Sequence, residues 1–282
     1  MHVTVAIPCY NGARYLEQTI KSVLTQQRPA EEILVIDDGS TDESAAIAAR
    51  HPVRLVSHST NRGLSAVRNT AISESVGDIL AFIDVDAVAH PIWLETLHTS
   101  YTDGGVSGAG GPGIESNIQS KADRWRQLHA TQGHGDRPLH HAPYLFGLNM
   151  SFRVDALRKV GGFDANLRTN AEDMDIGYRL NDAGCRLVYR PDAIVYHQRQ
   201  DDLHSLRRTM YNWYFWAFIV KRKNHRNPWT LAIGTVWRLI WSDTWSDLLF
   251  RHSPALAKLD VTMTMTKLQA ILAAAQSPLF IR

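Results

Sequence analysis

Short apolar runs alternate with longer stretches of helical periodicity through the first hundred residues. Residues 3–7, 33–36, 53–57 and 79–83 are β-branched or continuously apolar and predict four strands. Between them, a helix is predicted that buries Leu16, Ile20, Val23 and Leu24 at helical spacing, with Asn11 placed to cap it. A short helix follows around 43–50, another spans 64–74, and Pro91 opens one that turns Trp93, Leu94 and Leu97 inward. Strands this apolar are covered on both faces. Their alternation with helices predicts an α/β fold, a Rossmann-like and mostly parallel sheet with right-handed crossovers.

From 106 to 149 the pattern loosens and glycines cluster, at 104–105, 108, 110–111, 133 and 135, which predicts a loop-rich region shaping a pocket. Order returns as a strand over 144–151 and a short helix over 154–160, broken by Gly161-Gly162-Phe163-Asp164. A helix is predicted over 172–183, with Gly184 at C′, then short strands at 186–190 and 193–197. After His197 the composition shifts. Six of the eight tryptophans lie between 213 and 245, and residues 203–242 hold seven Lys or Arg and no acid. The predicted boundary is near 200, with a helical extension over 201–282.

The 282 residues are 44% hydrophobic and 21% charged, which suits a globular chain that buries its own core. A formal net charge of +2 makes no case for nucleic acid. Cys9 and Cys185 form no disulfide framework. The N-terminus runs straight into a strand with no signal peptide, and no run of about 18 apolar residues predicts a membrane span. The expected location is cytoplasmic.

Ligands of open α/β sheets bind beyond the carboxyl ends of the strands. Three polar groups fall there: Pro8-Cys9-Tyr10-Asn11, Asp37-Asp38-Gly39-Ser40 and Asp84-Val85-Asp86. Each alone fits a turn or a solvated strand end; their co-location favours a site. Asp84 and Asp86 can reach one hard divalent cation, Mg²⁺ or Mn²⁺, which leaves positions open for phosphate oxygens. Asp38 can accept the imide N–H of uracil or thymine, with Tyr10 stacking on the base and Gly39 letting the backbone approach. Arg68 either faces phosphates, grips a carboxylate or lies on a solvated face. Glu172 and Asp173 open a helix, where acids also complement the macrodipole. Asp173 is the candidate general base, Glu172 its orienting neighbour, and Asp175 is structural. His197 is a candidate neutral imidazole ligand, or a satisfied polar group.

In this order the motifs resemble family 2 glycosyltransferases of the GT-A fold. The matching pieces are Ile7-Pro8-Cys9-Tyr10-Asn11-Gly12, 35–42, 63–69, 82–86, Gly161-Gly162-Phe163-Asp164, and Glu172-Asp173-Met174-Asp175 with Tyr178-Arg179-Leu180. The resemblance covers roughly 1–200. It implies a nucleotide-binding half (1–100) and an acceptor half (101–200). Asp38 would bind the base, with Pro8, Tyr10 and Asn11 lining its pocket and Asp37 and Arg68 near the nucleotide. Asp84 would touch the ribose or the metal's outer shell, Asp86 would hold the metal, and His197 would assist it. Asp173 would be the base of an inverting, single displacement. The implied donor is a UDP- or dTDP-sugar and the acceptor a saccharide or a lipid-linked hydroxyl, in polysaccharide, O-antigen or glycolipid assembly.

The chain departs from the family at Gly12, where an acid is common, and at Ala87, where a further Asp is common. The Gln-x-x-Arg-Trp signature of processive synthases is absent: Arg124-Trp125 has Lys121 at the Gln position and precedes Glu172. Transfer of one sugar per encounter follows. Two alternatives are a sugar-nucleotide nucleotidyltransferase, disfavoured because Tyr10-Asn11-Gly12 replaces the expected Gly-rich basic loop, and a non-catalytic nucleotide-sugar-binding scaffold, disfavoured by intact acids at 38, 84, 86 and 173. The aromatic, basic extension packs on the first domain, joins a second copy in a homo-oligomer, or lies as a peripheral element in the interface at the inner face of the membrane.

Overall fold

The structure, a computed structural model, describes residues 1–241 and 243–279. The chain forms two compact units, one of residues 1–116 with 132–199, the other of 117–131 with 200–282.

The first unit holds a seven-stranded sheet in the order β3-β2-β1-β4-β8-β6-β9. Its strands are β1 Val3–Cys9, β2 Glu32–Asp37, β3 Arg54–Ser57, β4 Ile79–Ile83, β6 Val106–Gly110, β8 Asn149–Arg153 and β9 Arg186–Tyr189. β1 pairs in parallel with β2 and β4, and β8 runs opposite to β4 and β6. β5 Ala87–Ala89, β10 Val195–His197 and β7 Gly113–Glu115 make a small second sheet. The helices are α1 Ala13–Leu24, α2 Ser44–Ala48, α3 Leu64–Glu74, α4 Trp93–Thr99, α6 Val154–Lys159 and α7 Glu172–Asp182. The strand period of two divides the core. Val3, Val5, Ile7 and Cys9 face Leu16, Ile20, Trp93 and Leu97, whereas Ala6, Leu34, Leu80 and Phe82 face Val67, Ile72, Ile176 and Leu180.

Two local expectations change. Asn11 does not cap α1; it sits at φ 49° and Gly12 is the cap residue. The first N–H groups of that helix reach the loop after β2 instead: Gly12 donates to Ser44 Oγ (2.9 Å) and Ala13 to Asp42 Oδ2 (3.0 Å). The strand expected over 144–151 begins only at Asn149. Gly147 has left the ladder, because its N–H goes to Asp173 and its carbonyl to Arg68. Gly184 does terminate α7 as predicted, at φ 78°, with Cys185 N–H returning to the Leu180 carbonyl.

The second unit contains α5 Lys121–His129, α8 Leu203–Lys223, α9 Thr230–Trp241, the short α10 Asp243–Trp245, a π-turn Ser246–Phe250, and α11 Pro254–Gln276. Residues 117–131, which the sequence placed with the first domain, belong here because Trp125 packs against Leu206, Met210, Leu256 and Met263. Among the described residues, no helix is long and apolar enough to cross a membrane.

His129 lies between Asp243 on Nδ1 (3.6 Å) and Asp247 on Nε2 (3.0 Å), with Asp260 at 3.7 Å. Burial pushes the Asp260 carboxyl up to about 6, against the Trp125 indole N–H that donates to Oδ1 and against nearby His129. A raised carboxyl pKa means that ionisation costs stability above it, and that the cost vanishes as pH falls toward the unfolded value. Asp260→Asn keeps the Trp125 bond and removes the charge. It should raise the melting temperature by a few degrees at pH 7.5 and by less at pH 5, read by circular dichroism. A lower melting temperature at pH 7.5 would show that His129 depends on that charge.

Candidate active site

A tight turn joins β4 to β5 and carries Asp84-Val85-Asp86; Ala87 N–H closes it onto the Asp84 carbonyl (3.0 Å). β5 pairs antiparallel with β10, so Ala87 stands opposite His197, and β10 pairs with β7, so His197 stands opposite Glu115. His197 Nε2 is 3.3 Å from Asp86 Oδ2 and Nδ1 is 3.0 Å from Glu115 Oε1. Burial opposes a charge on this ring, but the two carboxylates outweigh it and push its pKa up to about 10. The imidazolium in turn overcomes burial at Asp86 and holds that carboxyl below its usual range. The candidate ligand His197 thus stands between two acids, Asp86 and Glu115. Among the described residues, Asp84, Asp86 and His197 do not form a trio of converging ligand atoms.

Arg68 is fully buried on α3. Its guanidinium donates to Glu172, to the Gly147 carbonyl (3.0 Å) and toward Asp84 Oδ1 (3.4 Å), and it lies 5.6–5.7 Å from the rings of Phe82 and Phe163. Of the sequence alternatives, the carboxylate grip is the one observed. Arg68 ties the end of β4, the 144–148 loop and the first turn of α7 into one knot. Next along α3, Asn69 exchanges two hydrogen bonds of 2.8 Å with the backbone of Phe163. A Cβ on Gly162 would come within 2.6 Å of that Asn69 side chain. The Arg68-Asn69 and Gly161-Gly162-Phe163-Asp164 motifs therefore occur together for a packing reason.

The two acids opening α7 have separate places. Glu172 is buried on Arg68, with Oε2 lacking a partner. Asp173 is partly exposed and accepts the Gly147 N–H through Oδ2 (2.8 Å). Burial raises both carboxyls above their usual range, against the pull of Arg68. Asp84 is raised to about 6, chiefly by burial and against Arg68, with Asp86 adding to the rise. Ala171, just before the pair, holds a left-handed backbone at φ 63°. That conformation costs a non-glycine residue about 1–2 kcal/mol, and such strain collects at functional sites. Asp175 is buried and paired with Arg179 at 2.8 Å, a structural role as expected.

On the strand-one side, Pro8 is buried within β1, opposite Ile36, and Tyr10 is half exposed. Asn11 is spent on the loop after β2: its N–H donates to Ser40 Oγ (2.9 Å) and its Oδ1 accepts from Thr41 N (2.8 Å). Asp38, expected to read the base, is held by the loop that follows β3. Its Oδ1 contacts His58 Nδ1 (2.6 Å) and accepts from Arg62 N (2.9 Å), and its Oδ2 accepts from Gly63 N (2.8 Å). With the side chain 2% exposed, those three partners use it as an internal clamp on the 58–63 loop. Asp37 is bonded by the Ser40 N–H at 3.2 Å. Gly39 permits close backbone approach to Thr60, 2.8 Å from where a Cβ would stand. The glycine at position 12 also has a reason: a Cβ there would meet Val85 at 2.6 Å, so Val85 fills the space an acidic side chain would take.

Residues 4–161 match the model of glycosyl transferase family 2. The chain belongs to that family. A pre-mycofactocin glycosyltransferase of Mycobacterium tuberculosis is 31% identical over 216 residues, 72% of this chain and 44% of that protein. The chain thus spans less than half the length of that relative. A glucosyl-dolichyl phosphate glucuronosyltransferase of Haloferax volcanii is 28% identical over 79% of this chain and 77% of its own. Among solved structures, the mannosyltransferase PcManGT of Pyrobaculum calidifontis, in complex with GDP-Man and Mn²⁺, is similar in fold, with a TM-score of 0.65 at 22% identity over 97% of this chain and 86% of its own. The expected GT-A fold, a mostly parallel sheet flanked by helices, is therefore the observed one.

The sequence did not single out Glu115, His58 or Gly147. Glu115 lies in a loosely patterned stretch and gains its meaning only through pairing with β10. His58 follows an apolar run, a position that suggests nothing more than a strand end. Gly147 works through its backbone, which no residue type announces. Beside it, the rings of His134, Tyr144 and Phe146 lie 4.9–5.4 Å apart in a cluster the sequence did not predict.

Proposed function

We propose that this member of family 2 moves one sugar from a nucleoside-diphosphate sugar to a hydroxyl acceptor by a single in-line displacement, inverting the anomeric carbon. One observation carries this: a continuous chain of contacts from Asp173 through Gly147 and Arg68 to Asp84. It sets a partly exposed carboxylate beside the acids of the 84–86 turn, although 86 residues separate Asp86 from Glu172 in sequence. Asp173 is the base that takes the acceptor's proton as its oxygen attacks. Glu172 and Arg68 position it. Tyr10 stacks on the base of the donor, with Pro8, Asn11, Asp37 and Asp38 forming the pocket behind it. A UDP- or dTDP-sugar is the favoured donor, and the GDP-Man of PcManGT adds a GDP-sugar to the set to be screened.

The donor set suits Mn²⁺ or Mg²⁺ through the Asp86 and Asp84 oxygens, and the Mn²⁺ of PcManGT supports the same class of ion. When bound, such a cation would neutralise the diphosphate and improve it as a leaving group. His197, 3.3 Å from Asp86, assists it in holding the ion. The acceptor is a saccharide or lipid-linked hydroxyl, a class to which the dolichyl phosphate in the Haloferax relative's name belongs. The aromatic cluster at 134, 144 and 146 suits a sugar face.

The test is nucleotide binding with and without Mn²⁺, by thermal shift. Wild-type protein should bind UDP, dTDP or GDP at least tenfold more tightly with Mn²⁺. Asp86→Ala should abolish that increment while leaving metal-free binding within about threefold. An undiminished increment in Asp86→Ala would remove the 84–86 turn from the donor site.

A further inference from the structure

Outside the donor site, one group of metal-ligating side chains converges among the described residues. His129 ends α5, Asp243 opens α10 and Asp260 lies on α11, and one ligand atom from each can be taken so that all three lie within 4.8 Å of one another. The imidazole is 3% exposed, the Asp260 carboxyl 2% and that of Asp243 19%. His129 Nδ1 stands 3.6 Å from Asp243 and Nε2 3.7 Å from Asp260. Both separations are long for hydrogen bonds. Two ligands of one tetrahedral ion, with bonds of about 2.0–2.2 Å, lie roughly 3.4 Å apart, so side-chain shifts of about 1 Å close the trio around an ion. Asp247, 3.0 Å from Nε2, stands beside the trio as the outer acid that orients a ligand histidine.

One carboxylate oxygen of this cluster is orphaned. Asp260 Oδ1 takes the Trp125 indole N–H at 2.7 Å, but Oδ2 is buried with no hydrogen-bond partner. A buried acceptor left unsatisfied costs free energy, and a cation supplies what Oδ2 lacks. The charges agree. Asp243, Asp247 and Asp260 share a single imidazole, and Arg251 is spent on Asp247 (2.5 Å). With the ring neutral, as a ligand must be, two negative charges stay uncompensated, and one divalent ion cancels them. Lys267 and Arg238 act on Asp243 from further off. Both engage Tyr214: Lys267 Nζ lies 5.1 Å from its ring centre and Arg238 bonds its hydroxyl at 2.9 Å. An imidazole among carboxylates suits Zn²⁺, whereas Mg²⁺ prefers an all-oxygen shell.

We propose that His129, Asp243 and Asp260 bind one Zn²⁺, a structural ion that clips α5, α10 and α11 together inside the second unit. The clip closes the long loop between residues 129 and 243, where a cross-link restricts the unfolded chain most. All three ligands belong to the second unit and none to the donor site, so the two readings stand or fall separately.

The test uses the full-length Asp86→Ala protein, freed of metal with EDTA, so that no ion held by the 84–86 turn is counted. Equilibrium dialysis should find one Zn²⁺ per chain, with a Kd of about 1 µM or tighter. The melting temperature at about 100 µM Zn²⁺ should rise by about 5 °C or more, and Mg²⁺ at the same concentration should leave it unchanged. In the same background, His129→Gln and Asp260→Asn should each weaken Zn²⁺ binding at least tenfold and remove the thermal gain. Asp260→Asn keeps the Trp125 bond and should melt no lower than its parent in EDTA, so it supplies the folded comparison should His129→Gln fail to fold. The proposal is overturned if the metal-free protein takes up no Zn²⁺. It is equally overturned if uptake is confined to weak sites without thermal gain, as exposed histidines such as His140 and His141 would give. Zn²⁺ binding by folded Asp260→Asn as tight as its parent's would also overturn it, leaving His129 as an imidazolium shared by three acids.

Discussion

Replacing Asp173 with asparagine is expected to lower the rate of sugar transfer by about 10²–10⁴-fold, the usual contribution of a positioned general base. Donor affinity should change by less than about threefold. The split follows from the geometry. Asparagine can keep its carbonyl oxygen on the Gly147 N–H, so the loop at 144–148 holds its place, but it has no basicity with which to take a proton. Because the Asp173 carboxyl is raised by burial, against Arg68, the acid limb of kcat/KM should lie above the ordinary carboxylate range. The sign is fixed by the role: a base works ionised, so activity climbs with pH through the raised pKa and falls below it. Measuring UDP, dTDP or GDP release across pH 4–8, with donor binding measured in parallel, checks both parts. Wild-type turnover in Asp173→Asn would take this residue out of the chemistry.

The fold was readable because its cause is local. Strand runs such as 79–83 and the helical spacing of Leu16, Ile20 and Val23 state their burial directly, and these residues are in the core, whereas Leu24, expected with them at the end of α1, is 37% exposed. The site was readable only to the level of which residues lie at the carboxyl ends of the strands. Their partners were not. Asp38 looks free in sequence, but three partners from residues 58–63 hold it, and that loop reaches it only after β3 is in place. His197 looks like a lone imidazole, but Glu115 and Asp86 reach it through a three-stranded sheet formed by segments 82 residues apart and more. Segment 117–131 shows the same limit: its capping box at Ser120 and Asp123 is local, but Trp125 finds its neighbours more than eighty residues away.

Arg68→Ala should be the most damaging single change in the first unit. Removing one partner from a buried ion pair leaves an uncompensated charge, with a typical cost of about 3–5 kcal/mol. Here Glu172 is stranded wholly within the protein, and Asp84 loses the cation that opposes its burial. Arg68→Lys is expected to recover little, because one ammonium does not span Glu172, Gly147 and Asp84 as the planar guanidinium does. The informative protein is the double variant Arg68→Ala/Glu172→Gln, which removes both charges. Urea denaturation should show it more stable than Arg68→Ala by on the order of 2 kcal/mol. Its turnover should stay as low as that of the single variant, since the link from the 84–86 turn to the Gly147 carbonyl stays broken. If Arg68→Ala unfolds within about 1 kcal/mol of wild type, the knot is not what holds α7 against the end of β4. If the double variant regains turnover together with stability, Arg68 supports the fold and does not position the acids.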